Sequence, residues 1–417
     1  MKASTIHWLD KNLGRPLCFF LTIHRKVRDF LKNSGEEGAA VSKILFLKLV
    51  EQGSTVLAYP ALKKAADKVG KENVYFLVFK ENRFILEVLD IIPRSNIVEV
   101  DSENLWKFTY SVVKAGHKIR KEKIDAVLDM EFFSRASAIL AYFSGASKRV
   151  GLHLFTSEGP YRGDLLNYKL LYNPYLHTSQ FFLSLVKALD HSPSKKCALI
   201  FNTPDKVNNL PGFSPSVDEE QSLIRKIERL KEGRLTNPMV ILNPNASDLV
   251  PVRRWPEENF VRLGKMILEA YPGSTLLVTG GPEEKEKGDM IASQIGNAFS
   301  LSGRTSFREL LALYCLSDVL VTNDSGPAQF SSLTSIKSIV LFGPETPFLY
   351  EPLGNNINVI APSLICSPCV NVFNHRKCPC EDAECMKSIT PEEVFNMVKN
   401  LLTPEPYNDQ TANKGGN

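Results

Sequence analysis

TNDSGPAQ, at positions 322–329, is preceded by the apolar run 318–321 and followed by a second strand-like run, SIVLF, at 338–342. A short buried strand that breaks into Asn-Asp-Ser-Gly-Pro and enters a helix leaves backbone N–H groups of that helix aimed beyond the strand's carboxyl end, where an anion can be held. Asp324 beside those amides repels a bare phosphate. A ligand that carries both a diphosphate and sugar hydroxyls is therefore the economical reading, and a nucleotide-sugar has both.

Working outward from this motif, short β-branched or apolar runs alternate with helical patterns. Runs at 43–49, 73–79, 97–100 and 124–130 alternate with helical stretches such as 56–69 and 105–121, and further elements follow at 149–152 and 177–189. At 204–215 the composition turns to Asn, Pro, Gly and Ser, which reads as a linker. After a charged helical stretch at 219–231 the alternation restarts, with strand-like runs at 239–242, 274–279, 299–301, 319–322 and 338–342. Alternation of this kind implies an α/β fold of two Rossmann-like, doubly wound parallel sheets. Ligands of such sheets bind beyond the carboxyl ends of the strands, so Gly53, Asn243, Gly280 and Asp324 are expected along one interdomain cleft. The expected divisions are a leader at 1–40, a first domain at 41–204, a linker and helix at 205–235, a second domain at 236–403 and a polar, disordered tail at 404–417.

With 417 residues, 43% of them hydrophobic and 23% charged, the chain has the composition of a soluble globular protein too long for one core. The net charge is only +4, and residues 1–33 alone hold seven Lys/Arg against two acids. No comparable basic segment is read downstream, and no basic stripe interleaved with aromatics argues for nucleic acid. The leader's apolar run at 16–23 falls well short of the roughly 20 residues that span a bilayer, and no small-residue cleavage site follows it. Leu13, Leu17, Phe20, Leu21, Phe30 and Leu31 recur at helical spacing, with Arg15, Arg25, Lys26, Arg28 and Lys32 between them. That pattern suits a helix lying on an anionic membrane surface, or one packed on its own domain.

Two further segments belong to the expected cleft. LLVTGGP at 276–282 runs a strand into Gly280 and Gly281 and then into Glu283 and Glu284. Missing side chains there let a ligand approach the backbone, and an acid can accept from ribose hydroxyls. NPNASDLVPVRRW at 243–255 ends a strand in small and polar residues, Asn245 and Ser247 among them, and carries Arg253 and Arg254. An arginine at that end can bridge a pyrophosphate, or pair with local acids in a solvated loop. No Gly-x-Gly-x-x-Gly follows the first strand, which argues against a redox dinucleotide enzyme.

These motifs in this order resemble the family 9 glycosyltransferases, the group that includes the lipopolysaccharide heptosyltransferases. The resemblance runs from about 43 to 394, through KILFLKLVEQGSTVLAYPALKKA (43–65), NPNASD (243–248), RRWP (253–256), VTGGPEE (278–284), LSGRTSFRELLALYCLSDVLVTNDSGP (301–327) and LFGPETP (341–347). It implies a GT-B architecture, with the acceptor bound mainly by the first domain and the sugar nucleotide mainly by the second. It also implies inverting, metal-independent transfer, with ADP-heptose the donor of the best-known branch and a saccharide or glycolipid the acceptor. The setting it implies is cytoplasmic, peripheral on the inner membrane. Matched position by position, Asp324, Ser325, Gly326 and Gln329 fall where the family holds the donor, Glu283 near the ribose, and Arg253 at the basic residue that neutralises the phosphates. Gly53, Ser54 and His177 fall on the acceptor side.

Two departures stand out. The family aspartate thought to act as general base is Ser54 here, and the histidine that often follows Asp-Ser-Gly-Pro is Gln329. A serine near its ordinary pKa cannot take the acceptor's proton at neutral pH. Glu51, three residues upstream, becomes the leading candidate base and Glu131 the next, with Asp129 at the same strand end. A homologue that binds nucleotide-sugars without transferring them, and a nucleotide-sugar epimerase on the same fold, remain the alternatives. Finally, Cys366, Cys369, Cys378, Cys380 and Cys385 crowd into twenty residues. They suggest a structural zinc site, free thiols or disulfides, and no catalytic role. Cys18, Cys197 and Cys315 are scattered and read as buried thiols.

Overall fold

In the computed structural model, residues 10–31, 40–153, 161–193, 198–247, 250–372, 377–380 and 382–403 are described. Parts of the leader, the tail 404–417, Cys197 and Asp248 lie outside them. Twelve strands among these residues form two six-stranded sheets. The first comprises β1 (Ile44–Leu47), β2 (Val74–Phe79), β3 (Ile97–Val100), β4 (Ala126–Asp129), β5 (Lys148–Leu152) and β6 (Tyr168–Leu170). The second comprises β7 (Met239–Asn243), β8 (Thr275–Val278), β9 (Ala298–Ser300), β10 (Val319–Asn323), β11 (Lys337–Leu341) and β12 (Ile357–Ile360).

Every pairing is parallel. The order is β3-β2-β1-β4-β5-β6 in one sheet and β12-β11-β10-β7-β8-β9 in the other. Read from opposite edges the two orders are the same, so each sheet reverses direction once, between β1 and β4 and between β7 and β10. Helices cover both faces, which is why the central strands ILFL, VYFLVF and VLVTN are buried on both sides and read as continuous apolar runs rather than alternations.

Where the structure departs from the expected elements, the causes are local. The helical stretch read at 56–69 is two helices, Gln52–Val56 and Tyr59–Val69, because Pro60 occupies the first turn of a new helix and cannot continue an old one. The edge strands β6 and β12 have no counterpart in the sequence reading. Each has three or four residues and one partner strand.

The helix Gly14–Leu31 packs Gly14, Cys18 and Thr22 toward the helix Arg135–Phe143. Arg25 there bonds Asp164, and Asp10 just upstream accepts from the backbone and side chain of Arg135. The helix Val217–Lys231, closed at its start by a Ser216/Glu219 capping box, joins the second domain through Lys226–Glu309 and Arg308–Glu219 ion pairs. Among the described residues no helix is long and apolar enough to cross a membrane.

Among the described residues, the domains share a core cluster and meet at the following contacts. Phe84 of the first meets Phe307 of the second edge to face at 5.1 Å, and Phe307 meets Phe330 at 4.5 Å. Gly53 lies against the helix Gly326–Ser331, where a Cβ would sit 3.2 Å from the Gly326 Cα and 3.1 Å from the Gln329 Cγ. His177 reaches across to the carbonyl of Glu351 at 2.9 Å.

Candidate active site

The carboxyl ends of β1 and β4 carry a buried charge cluster. Lys48, next after β1, is fully buried, and its ammonium lies 3.5 Å from Glu51 Oε2 and 3.7 Å from Glu131 Oε2. An ammonium taken wholly out of water must be paired, so these two carboxylates and the lysine hold one another. Glu131 Oε1 accepts from the amides of Leu49 and Val50, at 2.6 and 3.2 Å. It shapes the loop after β1 and is buried beneath it. Burial pushes the Glu131 carboxyl above the usual carboxylate range, Lys48 opposing and Glu51 adding to the rise.

Glu51 stands differently. Its backbone is left-handed, with φ at 66°, which turns the chain sharply into the helix Gln52–Val56. Its side chain is 27% accessible. The Ser54 hydroxyl donates to the Glu51 carbonyl at 2.9 Å and lies 3.3 Å from Glu51 Oε2. A carboxylate thus stands at the serine that replaces the expected aspartate. Asp129 does not face the cleft, contrary to the sequence expectation. It is fully buried, with its carboxylate on Arg162 and on the Ser137 hydroxyl, because the end of β4 lies under the helix Arg135–Phe143.

The opposing face is built by β7 and β10. Asn323 Oδ1 accepts from the Trp255 amide at 2.9 Å, and Trp255 Nε1 donates to the Ile389 carbonyl at 2.9 Å. These bonds fold the loop after β7 back over the Asp-Ser-Gly-Pro turn and bring Arg253 Nη1 to 3.5 Å from Asp324 Oδ2. Asp324 is 4% exposed. Among the described residues, Arg253 Nε is buried without a partner, as is Oε1 of Gln329, whose Nε2 donates to the Tyr350 carbonyl at 2.7 Å. Buried polar atoms without partners are uncommon, and each calls for an explanation. The Ser325 hydroxyl donates to the Asn323 carbonyl at 3.2 Å.

The other expected site residues either have partners within the loops or stand exposed. Arg254 clasps the Ala246 carbonyl with two donors, at 3.1 and 2.7 Å, and is a brace of the loop. Asn245 is 6% exposed, and its Nδ2 donates to the Thr279 carbonyl at 3.0 Å. A Cβ on Gly280 would lie 2.7 Å from that nitrogen, so the glycine makes room for the asparagine. Gly281 donates its N–H to Glu284 Oε2 at 2.6 Å, while Glu283 is exposed beside it. Ser247 is exposed at the end of the described part of its loop.

His177 caps the helix Thr178–Lys187. Its Nδ1 accepts from the Ser179 amide at 3.2 Å, which puts the ring proton on Nε2, facing the Glu351 carbonyl. Burial, helped by the Lys206 charge, lowers its pKa to about 4. The unfolded imidazole has a pKa near 6.5, so acid favours the unfolded state. This part of the stability is full above pH 6.5 and drains away between 6.5 and 4, reaching about 3 kcal/mol of loss at the lower end. Denaturant midpoints at pH 7 and pH 4.5 should fall further for wild type than for His177→Asn. Equal falls would show that another group carries the acid loss, His153 being the candidate because burial lowers it to about 4 as well.

Among the described residues, no group of three or more His, Cys, Asp or Glu is placed to hold a metal ion. Cys369 and Cys378 approach to 3.6 Å, Cys366 is exposed and Cys380 half-buried, and Cys385 is buried in the second domain's core beside Met386.

Two switch points face each other across this cleft, one bearing carboxylates and the other an arginine and an aspartate. The family model of glycosyltransferase family 9 (heptosyltransferase) matches residues 112–379, which span both domains. The chain belongs to glycosyltransferase family 9. Its fold is the GT-B fold, two Rossmann-like domains about a cleft, and among solved structures it is similar to Escherichia coli ADP-heptose lps heptosyltransferase II. That structure superposes with a TM-score of 0.65 at 19% identity, over 86% of this chain and 98% of the other.

Lipooligosaccharide heptosyltransferase 2 of Campylobacter jejuni serotype O:6 is 27% identical over 184 residues, 41% of this chain and 56% of the relative. Lipopolysaccharide heptosyltransferase 2 of Escherichia coli K12 is 23% identical over 306 residues, 70% of this chain and 79% of the relative. The chain spans about half the length of the Campylobacter relatives it matches. The family 9 match begins downstream of β1, so the Lys48–Glu51–Ser54 loop lies in the part of the chain that it leaves out.

Sequence reasoning missed Lys48. The signal was a lysine at the end of an otherwise apolar strand, KILFLKLV, where a parallel sheet buries both faces.

Proposed function

We propose that this family 9 chain is an inverting glycosyltransferase that moves a heptose from ADP-heptose to a saccharide or glycolipid of the lipopolysaccharide core, on the cytoplasmic side of a membrane. The observation that carries the reading is the accessible carboxylate of Glu51, held by Lys48 at 3.5 Å and beside the Ser54 hydroxyl, opposite the Asp324–Arg253 pair. Residues 41–204 take the acceptor and 236–403 the donor.

In this reading Glu51 accepts the proton of the acceptor hydroxyl as its oxygen attacks the anomeric carbon. The bond from that carbon to the diphosphate oxygen breaks, and the nucleotide leaves with the electron pair. Arg253, whose Nε has no partner among the described residues, neutralises the leaving diphosphate. Asp324 and the Gln329 Oε1 accept from sugar hydroxyls, Ser325 and Gly326 line the diphosphate, and Gly280, Gly281 and Glu283 border the nucleoside. Glu131, whose oxygens are spent on Lys48 and two amides, holds the loop rather than the proton.

The test is product analysis with purified protein, ADP-heptose and a heptose-deficient core acceptor. Heptose on the acceptor with inverted anomeric configuration supports the reading. A converted donor in the absence of acceptor moves the protein to the epimerases, and donor binding without turnover moves it to the inactive homologues.

A further inference from the structure

Helix Leu105–Lys121 packs Phe108, Val112, Ala115 and Ile119 on the first sheet and turns Trp106, Tyr110 and Val113 outward at i, i+4 and i+7. These three are 87%, 72% and 67% exposed. The helix Gly14–Leu31 packs on helix Arg135–Phe143 and also turns apolar residues outward. Opposite its packed residues Gly14, Cys18 and Thr22 it exposes Phe20, Ile23, Val27 and Phe30, the last at 87%. Both helices flank Arg135–Phe143, which packs on the same sheet face as Leu105–Lys121, and Arg120 Nε donates to the Phe143 carbonyl at 3.0 Å.

Charge follows the same division. Helix Leu105–Lys121 has five Lys/Arg and no acid, and Gly14–Leu31 has four against Asp29. Their joint excess is 9 − 1 = 8 positive charges, while the whole chain carries +4, so everything outside these two helices sums to −4. This corrects the reading that no basic segment recurs after residue 33. Arg15, Lys26, Lys107, Lys114 and Lys121 are exposed around the two apolar stripes.

We infer that the two helices together form one docking face for an anionic lipid surface. Aromatic and aliphatic side chains on an exposed helix face, with lysines and arginines beside them, are the composition of a helix seated at a headgroup boundary. Trp and Tyr settle at that boundary, and the cations meet the negative leaflet. Nucleic acid would use the cations but would leave Leu13, Val27, Phe30 and Val113 in water, and those are among the more exposed apolar residues here. Helix Leu105–Lys121 belongs to the first domain and helix Gly14–Leu31 packs on it, so the face would present the proposed acceptor side to glycolipid. It does not depend on sugar transfer being the chemistry.

The experiment is cosedimentation of the full chain with vesicles of phosphatidylcholine alone and of phosphatidylcholine mixed with phosphatidylglycerol, without donor or acceptor. Trp106→Ser/Tyr110→Ser and Phe20→Ser/Phe30→Ser are run beside wild type, with thermal melts to confirm folding. Wild type should bind the anionic vesicles and not the neutral ones, and release with salt. Each pair of substitutions should lower binding by about tenfold or more, the expected effect of removing two interfacial anchors. No binding to anionic vesicles, or variants that bind as wild type does, overturns the inference. So do a dimer in light scattering that the variants dissociate, which would make the face a contact between copies, and tighter binding to duplex DNA than to the anionic vesicles. Vesicle binding is read apart from transfer, so either reading can fail without the other.

Discussion

Glu51→Gln should lose about a thousandfold in transfer rate while binding donor within a factor of two of wild type, since general-base catalysis contributes roughly 10²–10⁴. The amide keeps the size and most of the hydrogen bonding of the carboxylate, so the Ser54 contact at 3.3 Å and the left-handed turn at residue 51 persist. What it cannot do is accept a proton. Single-turnover transfer and calorimetric donor binding on the same preparation separate the two effects. Transfer at the normal rate would rule Glu51 out as base. A parallel loss in donor binding would show that the substitution has disturbed the Lys48 cluster instead, because Lys48 is fully buried and depends on its carboxylates.

Restoring the expected acid gives a further arm to the same experiment. Glu51→Gln combined with Ser54→Asp places a carboxylate one turn along the same short helix. Recovery of transfer in the double variant would show that the reaction needs an acid in this loop rather than glutamate at that one position.

Asp324→Ala should weaken binding of ADP-heptose by about ten- to a hundredfold, the worth of one or two hydrogen bonds to a charged acceptor. Simple electrostatics predicts the opposite for the bare nucleotide. Asp324 lies 3.5 Å from Arg253 and shares its charge, so removing the carboxylate frees the arginine for a diphosphate. ADP should therefore bind the variant as well as wild type, or better. This split between ADP and ADP-sugar is the useful measurement, because a structural defect would weaken both together. Asp324 also donates its amide to the Leu341 carbonyl at 2.9 Å, a bond that alanine retains, which keeps the turn in place. Equal losses for the two ligands would make Asp324 part of the scaffold, and no loss for either would remove it from the donor site.

The fold was legible because its signals are short-ranged. Continuous apolar runs such as ILFL and VLVTN belong to strands buried on both faces, and Gly-Gly-Pro and Asp-Ser-Gly-Pro punctuate strand ends wherever those strands lie in space. The doubly wound order follows from alternation and from the fixed hand of parallel crossovers. Edge strands β6 and β12 escaped, while β3 and β9, equally short and with a single partner each, did not.

Which side chains do chemistry was a different matter. Along the chain, Glu51, Asp129 and Glu131 are three acids near strand ends, equal in kind. Only packing tells them apart. Asp129 lies under a helix against Arg162, Glu131 is closed over by the amides of Leu49 and Val50, and Glu51 is left accessible by a left-handed turn. Lys48, 83 residues from Glu131, gains its meaning only when β1 and β4 become neighbours. The same holds for Arg254, drawn to a carbonyl while Arg253 faces Asp324, and for Asn245, whose amide donates to the Thr279 carbonyl. A hydrophobic pattern is a property of neighbouring residues and survives in one dimension. The burial, pairing and accessibility of a charged group are set by residues far along the chain, and they exist only once the sheets have closed.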